Sequence, residues 1–318
     1  CSQSRGLGDV YKRQVLVNGA GRGIGQQIAV TCAQEGAKVV VNDLGGTVEG
    51  AGRDTGPAEE TCQIIADMGG EAVPNGGSIA DWDDAQAMVK QAVDTFGQID
   101  GVVNVAGILR DRIFHKMTED DWDSVIAVHL TGYFYVARAA AEYFRKQESG
   151  AMVHFTSNSG LVGNVGQVNY GAAKMGVVGL SRSIALDMSR FGVRSNIISP
   201  SAFTRMIETI PIKGPEGEVR RKRQEAMTPA KIAAPVAYLL SDAASDVSGQ
   251  IFYVRSNEIM LMSQHRPVRI IHRGEGWTPG LIHEHAMPAL RPHFTPSAPS
   301  GEYFLSLIHI SEPTRLAT

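Results

Sequence analysis

Tyr170 and Lys174 stand four residues apart at the start of a helical pattern, a spacing that sets both side chains on one helix face. A free phenol ionises near pH ~10, too high for efficient proton transfer at neutrality, and an adjacent ammonium lowers that value by stabilising phenolate. The pair therefore has the chemistry of a general acid/base and its tuning cation. A half-exposed helix also produces this spacing by chance, so its weight rests on what surrounds it. Ser157, thirteen residues before Tyr170, ends a strand-like run. Open α/β sheets bind ligands at that carboxyl edge, where a hydroxyl can hold a substrate oxygen. Nearer the N-terminus, Gly19-Ala-Gly-Arg22-Gly23-Ile24-Gly25 follows another strand-like run and opens a helical one. Glycines there let the backbone approach a pyrophosphate whose charge meets the helix N-terminus; outside that context the same sequence is only a tight turn. Asp43 follows the next strand-like run. A carboxylate at that place accepts hydrogen bonds from adenosine ribose hydroxyls and repels a 2′-phosphate, which favours NAD over NADP. Arg22 argues for the phosphate, but Leu44, directly after the acid, is not basic. Capping of its own loop is the other reading of Asp43.

The elements that must position these residues follow from alternating periodicity. From Gln14 onward, β-branched runs at Val15–Asn18, Lys38–Asn42, Glu71–Pro74, Ile99–Asn104, Ala151–Thr156, Val193–Ile198 and Gln250–Val254 alternate with helical patterns. That alternation predicts βαβ units in a doubly wound α/β fold with a seven-stranded, mostly parallel sheet. Two helices, near Asp120–Lys146 and Val168–Phe191, carry apolar residues on more than one face. This exceeds what packing on a sheet uses, and a subunit interface would bury the surplus. Asn42 to Pro57 and Ile210 to Glu225 are rich in glycine, proline or charge and are expected to be mobile loops. The expected division is a domain over residues 15–256, with an integral catalytic site, and an extension over 257–305. Residues 1–14 and 306–318 fit no element, and "DVYKRQ" and "SLIHISEPTRLAT" look like translated sequencing adapter, so both are expected to be non-native tails.

Composition narrows the partners. The chain has 318 residues, 43% hydrophobic and 20% charged, with a formal charge of −3. It can bury a full core and lacks the basic footprint of a nucleic-acid or membrane-surface protein. No apolar run approaches the ~20 residues of a membrane span, and no signal-peptide pattern is seen. Cys1, Cys32 and Cys62 form no C-x-x-C pair and read as reduced thiols, which favours a cytoplasmic location. No metal site is expected: His283 and His285, two apart on a predicted helix, point away from each other.

From about Val15 to Arg255 the chain resembles the short-chain dehydrogenase/reductase family. The motifs are Gly19-x-x-x-Gly23-x-Gly25, Asn104-Val-Ala106-Gly107, Ser157, and Tyr170-Gly-Ala-Ala-Lys174. The resemblance implies a Rossmann fold, Tyr170 as proton donor or acceptor, Ser157 orienting the substrate and Lys174 binding the nicotinamide ribose while tuning Tyr170. It further implies Asn104, Ala106 and Gly107 beside the adenosine, Ser78 and Ile79 in the adenine loop, and homodimers or homotetramers built on the two long helices. Four positions depart from the pattern. Asn18 replaces Thr, Val105 replaces Asn, and Ser201 replaces the Gly that follows Pro200, which weakens Pro200 and Thr204 as nicotinamide and phosphate contacts. His129 stands where the family holds a proton-relay water with Asn, and both a relay and a structural histidine bonded to backbone remain open.

"NDLGG" at Asn42–Gly46, "GILRDR" at Gly107–Arg112 and His129 resemble one branch, the (3R)-hydroxyacyl-CoA dehydrogenase part of multifunctional enzyme type two and its single-domain relatives. That branch implies NAD and a small-molecule substrate of the 3-hydroxyacyl thioester class. The basic residues Lys213, Arg220, Arg221, Lys222 and Arg223 can be read as coenzyme A phosphate contacts or as a solvated charged helix. Two other functions stay in view: an NADPH-dependent reductase of 3-oxoacyl carrier-protein thioesters, steroids or other ketones, and a catalytically silent nucleotide sensor or scaffold.

Overall fold

Val15, Leu16 and Val17 are fully buried in the first strand, β1 (Gln14–Asn18), as a parallel strand covered on both faces requires. The computed structural model describes residues 13–202, 227–302 and 304. After β1 come α1 (Gly23–Gln34), β2 (Lys38–Asn42), α2 (Gly56–Asp67), β3 (Glu71–Asn75), α3 (Trp82–Phe96) and β4 (Gly101–Asn104). Then follow α4 (Glu119–Ile126), α5 (Gly132–Gln147), β5 (Gly150–Phe155), the short α6 (Asn158–Leu161), α7 (Val168–Asp187), β6 (Val193–Ser201), α8 (Ala230–Leu240), β7 (Ile251–Arg255) and β8 (Glu258–Leu261).

The sheet order is β3-β2-β1-β4-β5-β6-β7-β8, with the strand order reversing between β1 and β4. Side chains of successive strand residues point to opposite faces. Val15, Val17, Val39 and Val41 accordingly pack with α1, α2 and α8, whereas Leu16 and Val40 pack with α3, α5 and α7. Pro74 lies in β3, which among the described residues is an edge strand paired with β2 alone.

Two expectations are corrected. Among the described residues the sheet has eight strands, because Ser256, with a φ of 52°, turns the chain back and β8 pairs antiparallel with β7. A two-residue turn followed by four residues carries too little pattern to announce a strand. The helix expected from Asp120 to Lys146 is interrupted by a π turn, Ala127–Thr131, which carries His129. Thr118 caps α4 in a reciprocal pair with Asp121, and Asp81 with Gly97 brackets α3.

The chain divides into two compact units after Met262. In the second unit Thr278 caps a short helix, and Ile282–Ala286, with His283 and His285, forms a π turn. Among the described residues no helix is long and apolar enough to cross a membrane.

Candidate active site

At the reversal point of the strand order a cleft of about 800 Å³ opens beyond the carboxyl ends of β1, β4 and β5. Its nucleotide-side wall starts with Gly19, Arg22, Gly23, Ile24 and Gly25. A side chain at Gly25 would put its Cβ 2.0 Å from the Gly19 carbonyl oxygen, so only glycine lets the turn fold onto α1. At Gly23 the same test meets nothing within 4 Å, which leaves the start of α1 open to the cleft. No acid lies in the first turn of α1 and no side chain caps it, so its positive end faces that opening.

Asp43 and Leu44 line the cleft beside this turn. The Asp43 carboxylate accepts from the amides of Gly21 (2.8 Å) and Gly45 (2.7 Å). Each oxygen retains a further lone pair, so capping the loop and accepting from a ligand hydroxyl are compatible. The insertion after β2, expected to be mobile, is pinned across the cleft: Leu109 donates to the Val48 carbonyl (3.0 Å) and Arg110 Nε to that of Glu49 (2.9 Å).

Ser78, Ile79, Ala106, Gly107 and Pro200 also face the cleft. Asn104 lies one layer beneath it, fully buried, bonded to Asn18 and to His154 Nδ1 (3.0 Å). Asn18 accepts through Oδ1 from the amides of Val105 (3.0 Å) and Ala106 (3.1 Å). Its amide thus ties the loop after β4 to the end of β1. Thr204 and the basic residues from Lys213 to Arg223 lie outside the described residues.

Ser157, Tyr170, Lys174 and His129 come together on the opposite wall. Ser157, at the mouth of β5, lines the same wall as Tyr170, and burial pushes the Tyr170 phenol up to about 12, against the lowering effect of the nearby Ser157 hydroxyl and with a rise from Asp111. The direction is opposite to that expected from an adjacent ammonium. Lys174 Nζ sits 5.6 Å from the Tyr170 ring centroid, and its hydrogens go to the Phe155 carbonyl (2.8 Å) and the Tyr133 hydroxyl (3.2 Å). Burial alone pulls Lys174 down to about 7.

His129 is buried in the π turn, its ring 5.0 Å from that of Tyr170 in an edge-on arrangement. Its Nε2 lies 2.8 Å from the Ile108 carbonyl oxygen and 3.0 Å from the Ile108 nitrogen. The imidazole covers Gly107, where any Cβ would fall 2.2 Å from its Cε1. Burial, reinforced by Lys174, holds His129 well below its usual range and therefore neutral.

The sequence reading missed several residues that support this wall. Asn169, fully buried, donates to the carbonyls of Arg110 (3.0 Å) and Asp121 (2.7 Å) and accepts from the Tyr170 amide (2.8 Å), which fixes the start of α7. Gln167 bonds the Asp111 carboxylate (2.7 Å) and accepts from Ser159 (2.7 Å), whose hydroxyl in turn meets that of Ser157 (3.3 Å). Polar residues just before Tyr170 were the available signal. Tyr133 gave none, since an aromatic residue in an apolar helix reads as core.

Comparison with known proteins agrees with this architecture. The sequence family described as Enoyl-(Acyl carrier protein) reductase matches residues 19–256. A short-chain type dehydrogenase/reductase of Mycobacterium tuberculosis is 47% identical over 74% of this chain and 80% of its own. This chain belongs to the short-chain dehydrogenase/reductase family. It is accordingly an oxidoreductase of the class that acts on CH–OH groups with a nicotinamide dinucleotide. The hydroxyacyl-CoA dehydrogenase ChsB1 of the same organism is 36% identical over 85% of this chain and 86% of its own. Peroxisomal multifunctional enzyme type 2 of Mus musculus is 39% identical over 86% of this chain. This chain spans only 36% of that enzyme's length. A solved short-chain dehydrogenase from Mycobacterium avium superimposes with a TM-score of 0.78 at 37% identity, covering 91% of this chain and 98% of its own. The resemblance to the multifunctional-enzyme branch is thereby borne out, as is the parallel α/β fold.

Proposed function

We propose that this short-chain dehydrogenase interconverts a 3-hydroxyacyl thioester and its 3-oxoacyl counterpart with NAD(H). The observation that carries the reaction is the placement of Ser157, Tyr170 and Lys174 together on one wall of a cleft whose other wall is the glycine turn. The open helix end at Gly23 and the Asp43 carboxylate fit a dinucleotide. Gly19, Arg22, Gly23, Ile24 and Gly25 would hold its pyrophosphate; Asp43, Leu44, Ser78, Ile79, Ala106 and Gly107 would frame its adenosine half, with Asn104 supporting them from beneath; Tyr170, Lys174 and Pro200 would frame its nicotinamide half. Bound there, the dinucleotide takes or gives the hydride and, when oxidised, adds a positive ring.

The chain's own groups do the rest. Ser157 and Tyr170 hold the substrate oxygen through their hydroxyls, and Tyr170 takes the alcohol proton or returns it. Lys174 stabilises the phenolate. Because the unliganded phenol is held high and the ammonium low, the two protonations are coupled: ionising Tyr170 favours the charged form of Lys174. His129, spent on Ile108 through Nε2, serves in this reading to position the Gly107–Ile108 backbone.

Asp43 favours NAD over NADP, since a negative group a few ångströms from a 2′-phosphate opposes it. The thioester substrate rests on the relative named hydroxyacyl-CoA dehydrogenase. Cys32 and Cys62 are free thiols, with burial raising Cys32 to about 12 and Cys62 to about 11, which suits a reducing, cytosol-like compartment. Trp122 on α4 and Phe134 on α5 stay exposed, and we assign them to a homodimer or homotetramer contact.

The test follows the absorbance of reduced nicotinamide, with NAD and with NADP, across 3-hydroxyacyl-CoA thioesters and simple secondary alcohols. Turnover is expected with NAD and the acyl-CoA compounds. Tyr170→Phe is expected to lose about 10²–10⁴-fold in kcat with NADH binding kept within a few fold. Activity with NADP alone, or with small alcohols alone, retains the chemistry and refutes the cofactor or substrate. Undiminished turnover in Tyr170→Phe overturns the assignment of the reacting group.

A further inference from the structure

Beneath Lys174 lies a group that the sequence motifs do not include. Tyr133 is the second residue of α5, just past the π turn that carries His129, and its side chain is fully buried. Its hydroxyl donates to the Ala106 carbonyl (2.9 Å) and accepts from Lys174 Nζ (3.2 Å), while Nζ stands 4.8 Å from the centroid of its ring. A phenol therefore bridges the lysine of α7 and the loop after β4, two parts of the cleft on different elements.

An ammonium has three N–H donors in tetrahedral array. One goes to the Phe155 carbonyl (2.8 Å) and one to Tyr133. Two fixed donors leave the third a single direction, and Lys174 lines the cleft. With the Phe155 bond alone, the amine could turn about that bond and aim its remaining hydrogens over an arc.

We propose that Tyr133 is a positioning residue, whose hydroxyl braces Lys174 against the Ala106 carbonyl and so fixes the lysine hydrogen that serves Tyr170 and the nucleotide. Charge reinforces the geometry. Burial already brings Lys174 down to about 7, so near neutrality a single acceptor more or less changes how much ammonium is present. The ring adds a cation–π attraction. Tyr133 itself stays protonated, because burial and the neighbouring Tyr170 hold its phenol well above the usual range.

The groups facing this bridge come from every element around it. His129 in the π turn and His154 on β5 have ring centroids 6.4 Å and 6.3 Å from that of Tyr133; Tyr170 and Lys174 face it from α7; Asp111 acts on Tyr170 from the loop after β4. Burial keeps both histidines neutral, His154 at about 3, so neither changes charge around neutrality where Lys174 does.

The inference rests on the reading of Tyr170 and Lys174 given above, and Tyr133→Phe separates the two. This variant keeps the ring and removes the bridging oxygen. Losing an acceptor disfavours the ammonium, which disfavours the Tyr170 phenolate, so the rising limb of kcat against pH for alcohol oxidation is expected to move up by about one unit, with kcat at neutral pH falling about ten-fold and KM changing less than about three-fold. NADH binding, read by fluorescence, should weaken by no more than about five-fold, and the thermal transition should stay cooperative. A uniform loss of kcat at every pH, with the limb in place, overturns the proposal, since that is what simple loosening of the core produces. A second measurement needs no variant: in the unsubstituted protein with selectively labelled lysine, a nuclear Overhauser contact between the Lys174 side-chain end and the Tyr133 ring protons is expected, and its absence overturns the bridge. If Tyr170→Phe keeps full turnover, the assignment of function fails; if Tyr170→Phe is inactive while the limb in Tyr133→Phe does not move, only the present inference fails.

Discussion

On the β1 side of the cleft, backbone packs on backbone. A Cβ at Gly19 would lie 2.5 Å from the Ala106 Cα, one at Gly25 would lie 2.0 Å from the Gly19 oxygen, and the Asp43 carboxylate bonds main-chain amides. On the α7 side, side chain bonds to side chain: Asp111 to Gln167, Gln167 to Ser159, Ser159 to Ser157, and Lys174 to Tyr133. The first wall has no adjustable part, because main-chain atoms cannot move without moving a strand. The second has several, because each link can be cut while α7 keeps its buried face of Ala173, Val177 and Val178. Shape is therefore specified on one wall and protonation and orientation on the other.

The sharpest way to break this contrast is Gly25→Ala. The added carbon meets a carbonyl oxygen with no flexible neighbour to yield. Overpacking of this kind costs about 1–3 kcal/mol, and relief by shifting the turn would spoil the anion cradle. We expect loss of NADH binding by titration calorimetry, together with a lower melting temperature. A variant that binds NADH within three-fold of the parent would show that the wall yields after all.

Gln167→Ala probes the other wall, with a smaller effect. It removes the donor to Asp111 and one acceptor from the Ser159 hydroxyl, while Asn164 still donates to Ser159 (2.9 Å). Ser157 then loses part of its support. The expected result is a fall in kcat/KM of about ten-fold, in keeping with about 1.4 kcal/mol for a lost orienting bond, while NADH affinity stays unchanged. Equal losses in cofactor affinity and turnover would mean that the walls are not separable.

The same contrast explains what could be read from sequence. Gly19 and Gly25 announce themselves because backbone contact demands a residue type at fixed spacing, Gly23 because its φ of 58° does, and the β-branched runs announce strands buried on both faces. Tyr170 and Lys174 are legible because one helix turn joins them. Tyr133 and Lys174 are joined only through the fold, as residues of α5 and α7 that meet beneath β5. His154 is a polar residue inside an otherwise apolar strand, and its partner Asn104 lies on the adjacent strand β4. Spacing shows that a lysine is near Tyr170, but not that burial raises the phenol, nor that two of the lysine's three hydrogens go to Phe155 and Tyr133.

The smallest effect at assay pH, and the one that joins both walls, is His154→Asn. His154 is held at about 3 by burial, with Lys174 adding to the effect, against about 6.5 in an unfolded chain. A depressed value in the fold means that its stabilising contribution is complete above pH ~6.5 and is lost as pH falls toward ~3, because the unfolded chain gains a proton that the fold refuses. Each pH unit in that window costs up to about 1.4 kcal/mol for this histidine. His129 acts with the same sign, so the replacement should shallow the acid slope of unfolding free energy without abolishing it. Lys174 does not confuse the measurement: lowered to about 7 from its ordinary 10.5, it contributes stability only as pH rises between those values. Chemical denaturation at pH 7 and pH 4.5 is the check. An unchanged slope in His154→Asn would mean that this imidazole already takes up its proton in the fold, which would place a charge directly behind Asn104 and oppose the separation of shape from protonation.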